Sequence, residues 1–383
     1  MTTLEEYRAE LREQLGALDA SGLRRHLREP AGLDLCSNDF LGLCRHPHLI
    51  ESMCAALPGL GSGATGSRLL SGQRRAFADL EERLAAFSGR EAAVLFGSGF
   101  AANLGLLQTM VRTGDLVLSD ARNHASLIDG LRLVRGVKKV VYRHQDLDAV
   151  EQALRLPRGE ARAFVLTESV FGMDGDLTPL GELSDLCDAH GGLLVVDEAH
   201  ATGLYGASGS GRVEELGLRE RVLATVHTGG KALGSGGAWV AGPRELIDHL
   251  VNRARTFVFS TAPLPVLAPA LSAGLDVVAR EPERRAEVHR KAALLRQALG
   301  DAGLKPGGAS AVIPVIVGAN EAALQLQDEL LAQGYDVRAV RPPTVPEGTA
   351  RLRVTARYPV ADDDLVRFAG AAARLLHATA VTA

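Results

Sequence analysis

Lys231 follows an apolar run, Val222 to Val226, that breaks into a loop of small residues, Thr228-Gly229-Gly230-Lys231-Ala232-Leu233-Gly234. It is one of five lysines among 42 basic residues, so arginine carries most of the positive charge. A partly desolvated ammonium has a lowered pKa and becomes a nucleophilic amine, the group Schiff-base chemistry requires. From this stretch alone, a solvated loop lysine is the simpler account. A second chemical feature changes the weighing. Leu193-Leu194-Val195-Val196 runs straight into Asp197-Glu198-Ala199-His200. The letters match a helicase motif, but that would need an earlier GxxxxGK[ST] phosphate loop. The Gly230-Lys231 pair comes later and is followed by Ala232. What remains is Asp197, a carboxylate leaving a hydrophobic strand, which needs a cationic partner to offset its burial. A protonated pyridine nitrogen is such a partner, the pairing that tunes pyridoxal phosphate (PLP).

Other chemistry-bearing stretches also follow apolar strands. Ala92-Ala93-Val94-Leu95-Phe96-Gly97-Ser98-Gly99-Phe100-Ala101-Ala102 reads as strand, glycine turn and helix. Its GxGxxA spacing fits a dinucleotide fingerprint, with Asp120 at the end of the next strand as the ribose acid. The same backbone N–H groups at a helix start also suit a single phosphate, and a tight turn without ligand is the third alternative. His124 follows Asn123 at a strand-to-helix junction, where an imidazole is able to stack on a flat ring or simply cap the helix. Glu168-Ser169-Val170-Phe171-Gly172-Met173-Asp174-Gly175-Asp176 offers a hydroxyl, Ser169, in a similar place; otherwise it is a polar turn.

These residues need a scaffold that brings strand ends together. Apolar strands are predicted at 92–96, 116–119, 138–142, 162–168, 193–197 and 222–227, with helical segments between most of them. Such alternation predicts an α/β fold with a mostly parallel sheet covered on both faces, and ligands beyond the carboxyl ends of its strands. An amphipathic helix is predicted over 3–20 and another over 75–87, with helical runs at 244–254 and 265–302. From about 275 a smaller α+β domain is expected, with strands at 312–317 and 351–355 and helices at 320–333 and 361–376. The expected organisation is an N-terminal helical segment over 1–36, a large domain over 37–274 and a small domain over 275–383. The glycine-rich stretch Gly59 to Arg68 reads as a loop whose backbone approaches a ligand or another subunit.

Composition narrows the classes. A net charge of −4 with both signs scattered argues against a nucleic-acid or anionic-membrane partner. No apolar run approaches a membrane span, and the N-terminus does not read as a secretory signal. The four cysteines lack metal or CxxC spacing, so no metal site is expected and free thiols in a reducing cytoplasm are.

Taken in order, these stretches resemble the fold-type I PLP enzymes, and within them the α-oxoamine synthases. The likeness spans nearly the whole chain. It is carried by Ser37-Asn38-Asp39-Phe40-Leu41-Gly42-Leu43, the Gly61–Arg68 loop, Gly97-Ser98-Gly99-Phe100, Asn123-His124-Ala125-Ser126, Glu168 to Asp176, Asp197 to His200, and Thr228-Gly229-Gly230-Lys231. The resemblance implies that Lys231 forms the Schiff base with PLP and that Asp197 pairs with the ring nitrogen. It implies that His124 stacks on the ring, that His200 and Ser169 approach the phenolic oxygen, and that Gly99, Phe100 and Thr228 hold the phosphate. Ser260-Thr261 matches a segment that reaches a neighbouring subunit's phosphate, which implies a homodimer with its site at the interface. Arg24, Asn38, Thr344 and Arg353 match substrate positions, Arg353 as the carboxylate anchor. Gly172 departs from the Ser of many relatives, with little effect expected. Arg341-Pro342-Pro343-Thr344-Val345-Pro346 is similar to the branch serving biotin synthesis, which implies L-alanine and a pimeloyl thioester, on coenzyme A or an acyl-carrier protein, as substrates. Sister branches that use glycine and a short acyl-CoA share the cofactor motifs, so glycine C-acetyltransferase activity stays open.

Overall fold

The computed structural model of the protein describes residues 2–381; Met1, Thr382 and Ala383, at the outer ends of the expected first and last segments, lie outside the described residues. Two compact units emerge. The larger comprises Asn38–Gly172 and Asp176–Val288, the smaller Met1–Ser37, Met173–Gly175 and His289–Ala383. The chain therefore passes between units near residues 37 and 288, the second point lying inside the helix Glu283–Asp301.

One short strand, β1 (Leu33–Asp34), precedes the larger unit. That unit holds a seven-stranded sheet: β2 (Ala92–Phe96), β3 (Leu116–Asp120), β4 (Lys138–Tyr142), β5 (Ala163–Glu168), β6 (Gly192–Asp197), β7 (Ala224–Thr228) and β8 (Ala238–Gly242). Their order is β2-β8-β7-β6-β5-β3-β4. Only β8 runs against its neighbours, pairing antiparallel with both β2 and β7. Strands β2 to β7 thus all point the same way, and their carboxyl ends share one edge. Successive residues explain why the sequence showed unbroken apolar runs rather than alternation with polar residues. Phe164 and Leu166 of β5, with Val195 of β6, enter one hydrophobic cluster. Val165, with Leu194 and Val196, enters another on the opposite face. In these central strands a period of two between two buried faces leaves little for water, whereas the edge strand β4 exposes Lys138, Lys139 and Val141.

The predicted strands of this unit and the helices expected over 75–87 and 244–254 form close to their expected bounds, but the run expected over 265–302 is two helices, Leu267–Arg280 and Glu283–Asp301, interrupted where Pro282 lacks an N–H to continue the ladder. Strand β8 was not expected, because Gly234 to Gly242 reads as small residues around one tryptophan. Trp239 is fully buried, stacked on His227 with centroids 4.9 Å apart. Helix α1 (Leu4–Ala20) forms with a Thr3–Glu6 capping box, yet none of its residues is buried, and Leu4, Tyr7, Leu11, Leu15 and Leu18 are exposed. Helices α2 (Pro47–Leu60) and α3 (Arg75–Ser88) follow.

In the smaller unit β9 (Val312–Gly318), β11 (Arg338–Val340) and β12 (Ala350–Thr355) make an antiparallel sheet, while β10 (Tyr335–Asp336) pairs with β1. Leu326, Leu330, Leu352, Val354 and Phe368 share its core. Among the described residues no helix is long and apolar enough to cross a membrane.

The loops at the functional edge of the larger sheet are tied by His144. Its Nδ1 lies 3.0 Å from Asp120 at the end of β3, and its Nε2 lies 3.2 Å from Asp176. Burial alone would lower the imidazole pKa, but hydrogen bonds to the two carboxylates outweigh it and raise the value from 6.5 to about 9. A raised folded-state pKa gives stability that is full below 6.5 and lost as pH rises through 9. The unfolding free energy difference between the parent and His144→Gln should therefore shrink from pH 6.5 to above 9, measured by urea denaturation across that range.

Candidate active site

Across the carboxyl edge of the larger sheet, β2 leads to Gly97–Phe100, β7 to Lys231, β6 ends in Asp197, β5 leads to Ser169, and β3 leads to His124. The topology brings these residues, distant in sequence, to one rim. Helix α4 (Gly99–Met110) starts at this rim, capped by Ser98, whose side chain accepts from Ala101 N–H. A Cβ built at Gly97 or Gly99 meets nothing, so the space before the helix N-terminus is open. Free N–H groups and the helix dipole there favour an anion.

Asp197 is buried, and its carboxylate accepts from Asn103 Nδ2 at 2.7 Å and Ala199 N–H at 2.9 Å. Asn103 also donates to Ser126 Oγ at 2.9 Å, and that hydroxyl lies 2.8 Å from His124 Nδ1. A continuous chain of hydrogen bonds thus runs from Asp197 to the imidazole. Ser126 belongs to helix α5 (Ala125–Arg132), whose N-cap is His124 itself. The ring remains solvent-accessible; the burial it does have lowers its pKa, the Asp197 charge opposes this, and Lys231 adds to it.

Lys231 occupies the turn between β7 and β8. Gly234 N–H donates to the Lys231 carbonyl at 2.9 Å, and Gly229 N–H to the Gly237 carbonyl at 3.0 Å. Thr228 Oγ1 donates to Gly237 O at 3.1 Å and accepts from Gly230 N–H at 3.2 Å. The glycines are required by space. A Cβ at Gly229 would overlap Leu271 and the Gly236 carbonyl, and one at Gly234, where φ is +63°, would overlap the Leu43–Cys44 backbone.

The turns after β5 and β6 hold further residues that bear on the rim. His200 is buried, edge-on to Phe40 with centroids 6.1 Å apart. A Cβ at Gly172 would fall on His200 Nε2, so the room a serine would use is taken by the imidazole. The expectation of little effect from this glycine overlooked that contact. Ser169 Oγ donates to Glu198, a fully buried carboxylate that also accepts Arg212 and Val213 N–H. Burial raises Glu198 to about 7 against those donors. Glu198 had no role in the sequence reading, since two of its partners, Arg212 and Val213, come from a segment with no motif. Glu168 was likewise missed; its Oε1 accepts His124 N–H at 2.7 Å. Burial first, then the Asp197 charge, pushes Glu168 up to about 8.

The remaining predicted site residues are placed as follows. Phe100 is exposed, edge-on to the His124 ring with centroids 6.4 Å apart. Thr261 is exposed and bridges Ser67 of the glycine-rich loop. Asn38 is half-buried in the larger unit. Arg24, Thr344 and Arg353 belong to the smaller unit. Arg24 pairs with Asp19 at 2.5 Å, and Thr344 is exposed. Arg353 is buried; burial pulls its pKa down to about 10, so it stays cationic at neutral pH.

Residues 30–369 match the aminotransferase class I and II family. The chain belongs to that family. It is 46% identical to an 8-amino-7-oxononanoate synthase of Anaeromyxobacter dehalogenans over 89% of either chain. The synthase of Geobacter sulfurreducens is 43% identical over 94% of this chain and 96% of its own. Among solved structures, a serine palmitoyltransferase of Sphingomonas wittichii aligns with TM-score 0.91 at 30% identity over 99% of both chains. A serine palmitoyltransferase of S. paucimobilis, solved with PLP bound, aligns with TM-score 0.90 at 27% identity over 99% of this chain and 100% of its own.

Membership in this family removes the dinucleotide alternative, and the sheet gives the physical reason. A ribose acid must sit on the strand beside the fingerprint strand. Asp120 ends β3, four strands removed from β2's neighbour β8, and its carboxylate is taken by His144 and the N–H groups of Arg122 and Gln145. The rim does fit PLP. Asp197 is a buried carboxylate whose hydrogen bonds, among the described residues, come from neutral donors, which leaves its charge for a pyridinium. The open helix N-terminus suits a phosphate, and Lys231 supplies the amine.

Gly229→Ala is expected to destabilise folding by about 1–3 kcal/mol through overpacking of the lysine turn. Gly97→Ala, which meets open space, should leave the denaturation midpoint near the parent's while weakening PLP binding. Urea unfolding and PLP titration of the two variants check this contrast.

Proposed function

We propose that the chain condenses L-alanine with a pimeloyl thioester, forming a C–C bond to the acyl carbon and releasing the thiol and CO2 to leave 8-amino-7-oxononanoate, as in biotin synthesis. The observation that carries this is the 43–47% identity to synthases of that name over 89–94% of the chain. The rim that gathers Lys231, Asp197 and His124 supplies the matching chemistry. The enzyme is a PLP-dependent acyltransferase.

PLP, once bound, supplies an electron sink next to the amino acid's Cα. Lys231 Nζ would hold the cofactor covalently, and the same amine, once displaced by the amine of alanine, would take the α-proton. Asp197 would keep a proton on the ring nitrogen, and Asn103 and Ala199 N–H keep the Asp197 carboxyl group oriented. His124, held by Ser126, would lie against the ring. His200 and Ser169 would lie near the phenolic oxygen, and Gly99, Phe100 and Thr228 would hold the phosphate. Arg353 anchors the amino acid carboxylate, for which a buried guanidinium suits a planar anion. Asn38, Arg24 and Thr344 complete the substrate set on the strength of the family resemblance.

The working form is a homodimer in the cytoplasm, with Thr261 of one subunit reaching the other's phosphate. Its support is an apolar surface beside the Ser67–Thr261 bridge. Leu69, Leu70, Phe259 and Leu264 are 51%, 83%, 73% and 57% exposed there, and exposed apolar clusters mark association sites.

Borohydride reduction followed by peptide mapping should place the pyridoxyl group on Lys231, and Lys231→Ala should lose turnover by at least about 10²–10⁴-fold. Turnover close to the parent's in that variant would exclude the base assignment. A matrix of alanine, glycine and serine against pimeloyl-, acetyl-, succinyl- and palmitoyl-CoA should give alanine with pimeloyl-CoA the highest kcat/KM. Some glycine turnover is expected, because a pocket discriminates one methyl by only about 1–3 kcal/mol. Glycine with acetyl-CoA as the best pair would replace the proposal with glycine C-acetyltransferase activity.

A further inference from the structure

Glu168 is a buried acid for which the reaction outlined above has no use. It ends β5 directly beside Asp197, since Glu168 and Asp197 are register partners of adjacent parallel strands. Its Oε1 accepts the His124 N–H at 2.7 Å, and the carboxyl group also accepts the Gly172 N–H. Gly172 is in turn backed by His200, whose Nε2 occupies the place of a side chain at that position. The other features of this turn serve different neighbours: Ser169 N–H donates to the Asp197 carbonyl, and Thr178 Oγ1 to the Glu168 carbonyl. One carboxyl group therefore meets the backbone that carries His124 and the backbone against which His200 rests.

We propose that Glu168 is a positioning residue for the reaction, its carboxyl group holding the His124 backbone and the Gly172 turn together so that both imidazoles are set by one side chain. The proposal rests on the roles given to His124 and His200 under the proposed function. The chemistry favours an acid. The carboxyl group takes N–H groups from two different segments, and a glutamine of the same length replaces one of its oxygens with a donor. An apolar side chain would fill the space but leave both buried N–H groups without acceptors, at roughly 1–3 kcal/mol each. A carboxyl group buried beside a second one is itself unfavourable, so simple filling does not account for it. Gly172 is part of the same device, because the seat of the His200 ring is the absence of a side chain there.

The test uses the full-length chain, with and without added PLP, and the variants Glu168→Gln, Glu168→Ala and Gly172→Ala. Imidazole NMR resonances are assigned with His124→Asn and His200→Asn. Glu168→Ala should shift the resonances of both histidines. Its kcat should fall at least about tenfold, with KM for alanine changed by less than about threefold, as expected when groups needed in the transition state are misplaced. Glu168→Gln should recover much of the His124 position, because its amide oxygen still accepts that N–H. Gly172→Ala should shift His200 and leave His124 in place. If Glu168→Ala does not fold, Glu168→Gln and Gly172→Ala carry the test. Unshifted histidine resonances in a folded Glu168 variant overturn the proposal, whatever the activity. Shifted resonances with parental kcat would uphold the positioning and instead defeat the catalytic roles of the two histidines.

Discussion

Two carboxyl groups, Glu168 and Asp197, close neighbouring parallel strands in register. Adjacent strands lie about 4.8 Å apart and paired residues share a face, so the two buried acids are neighbours at the rim. They do not share one fate. Asp197 receives Asn103 and Ala199 N–H, donors suited to an ionised group. Glu168 is pushed up to about 8, by burial first and then by the Asp197 charge. One rim thus holds a carboxyl group met by Asn103 and Ala199 next to a second met by the His124 and Gly172 N–H groups. The lysine amine, the imidazole of His124 and the helix N-terminus are arranged around that pair.

The arrangement depends on a sheet whose strands agree in direction. Strands β2 to β7 all discharge their loops on one edge, and the reversed β8 returns the chain so that the lysine turn lies between them. That turn tolerates no side chain at Gly229 or Gly234 because backbone and leucine atoms stand where a Cβ would be. The glycine-lined setting that first made Lys231 conspicuous is therefore a packing requirement, and it fixes the turn that carries the amine. Buried polar groups around it are linked into networks, Asp197–Asn103–Ser126–His124 on one side and Ser169–Glu198–Arg212 N–H on the other. Networks of this kind hold geometry when each member is satisfied.

The sequence by itself determined the strand–helix alternation, the parallel character of most of the sheet and the residues at the strand ends, because each rests on local pattern: apolar runs, glycine turns and a charged residue closing a run. Lys231, Asp197, His124, His200 and Ser169 were legible for that reason, as was the α+β character of the smaller unit. Strand β8 was not, since its identity comes from pairing with β2 and β7 rather than from its own small residues. The solvent exposure of α1 was not either, because an apolar stripe reports what a helix is able to bury and not what covers it. The parts of Asn103, Glu168, Glu198 and Gly172 were decided only by the tertiary structure. Each acts through a partner from a distant segment, and a hydrogen bond or a steric vacancy between distant segments leaves no trace in the spacing of either one.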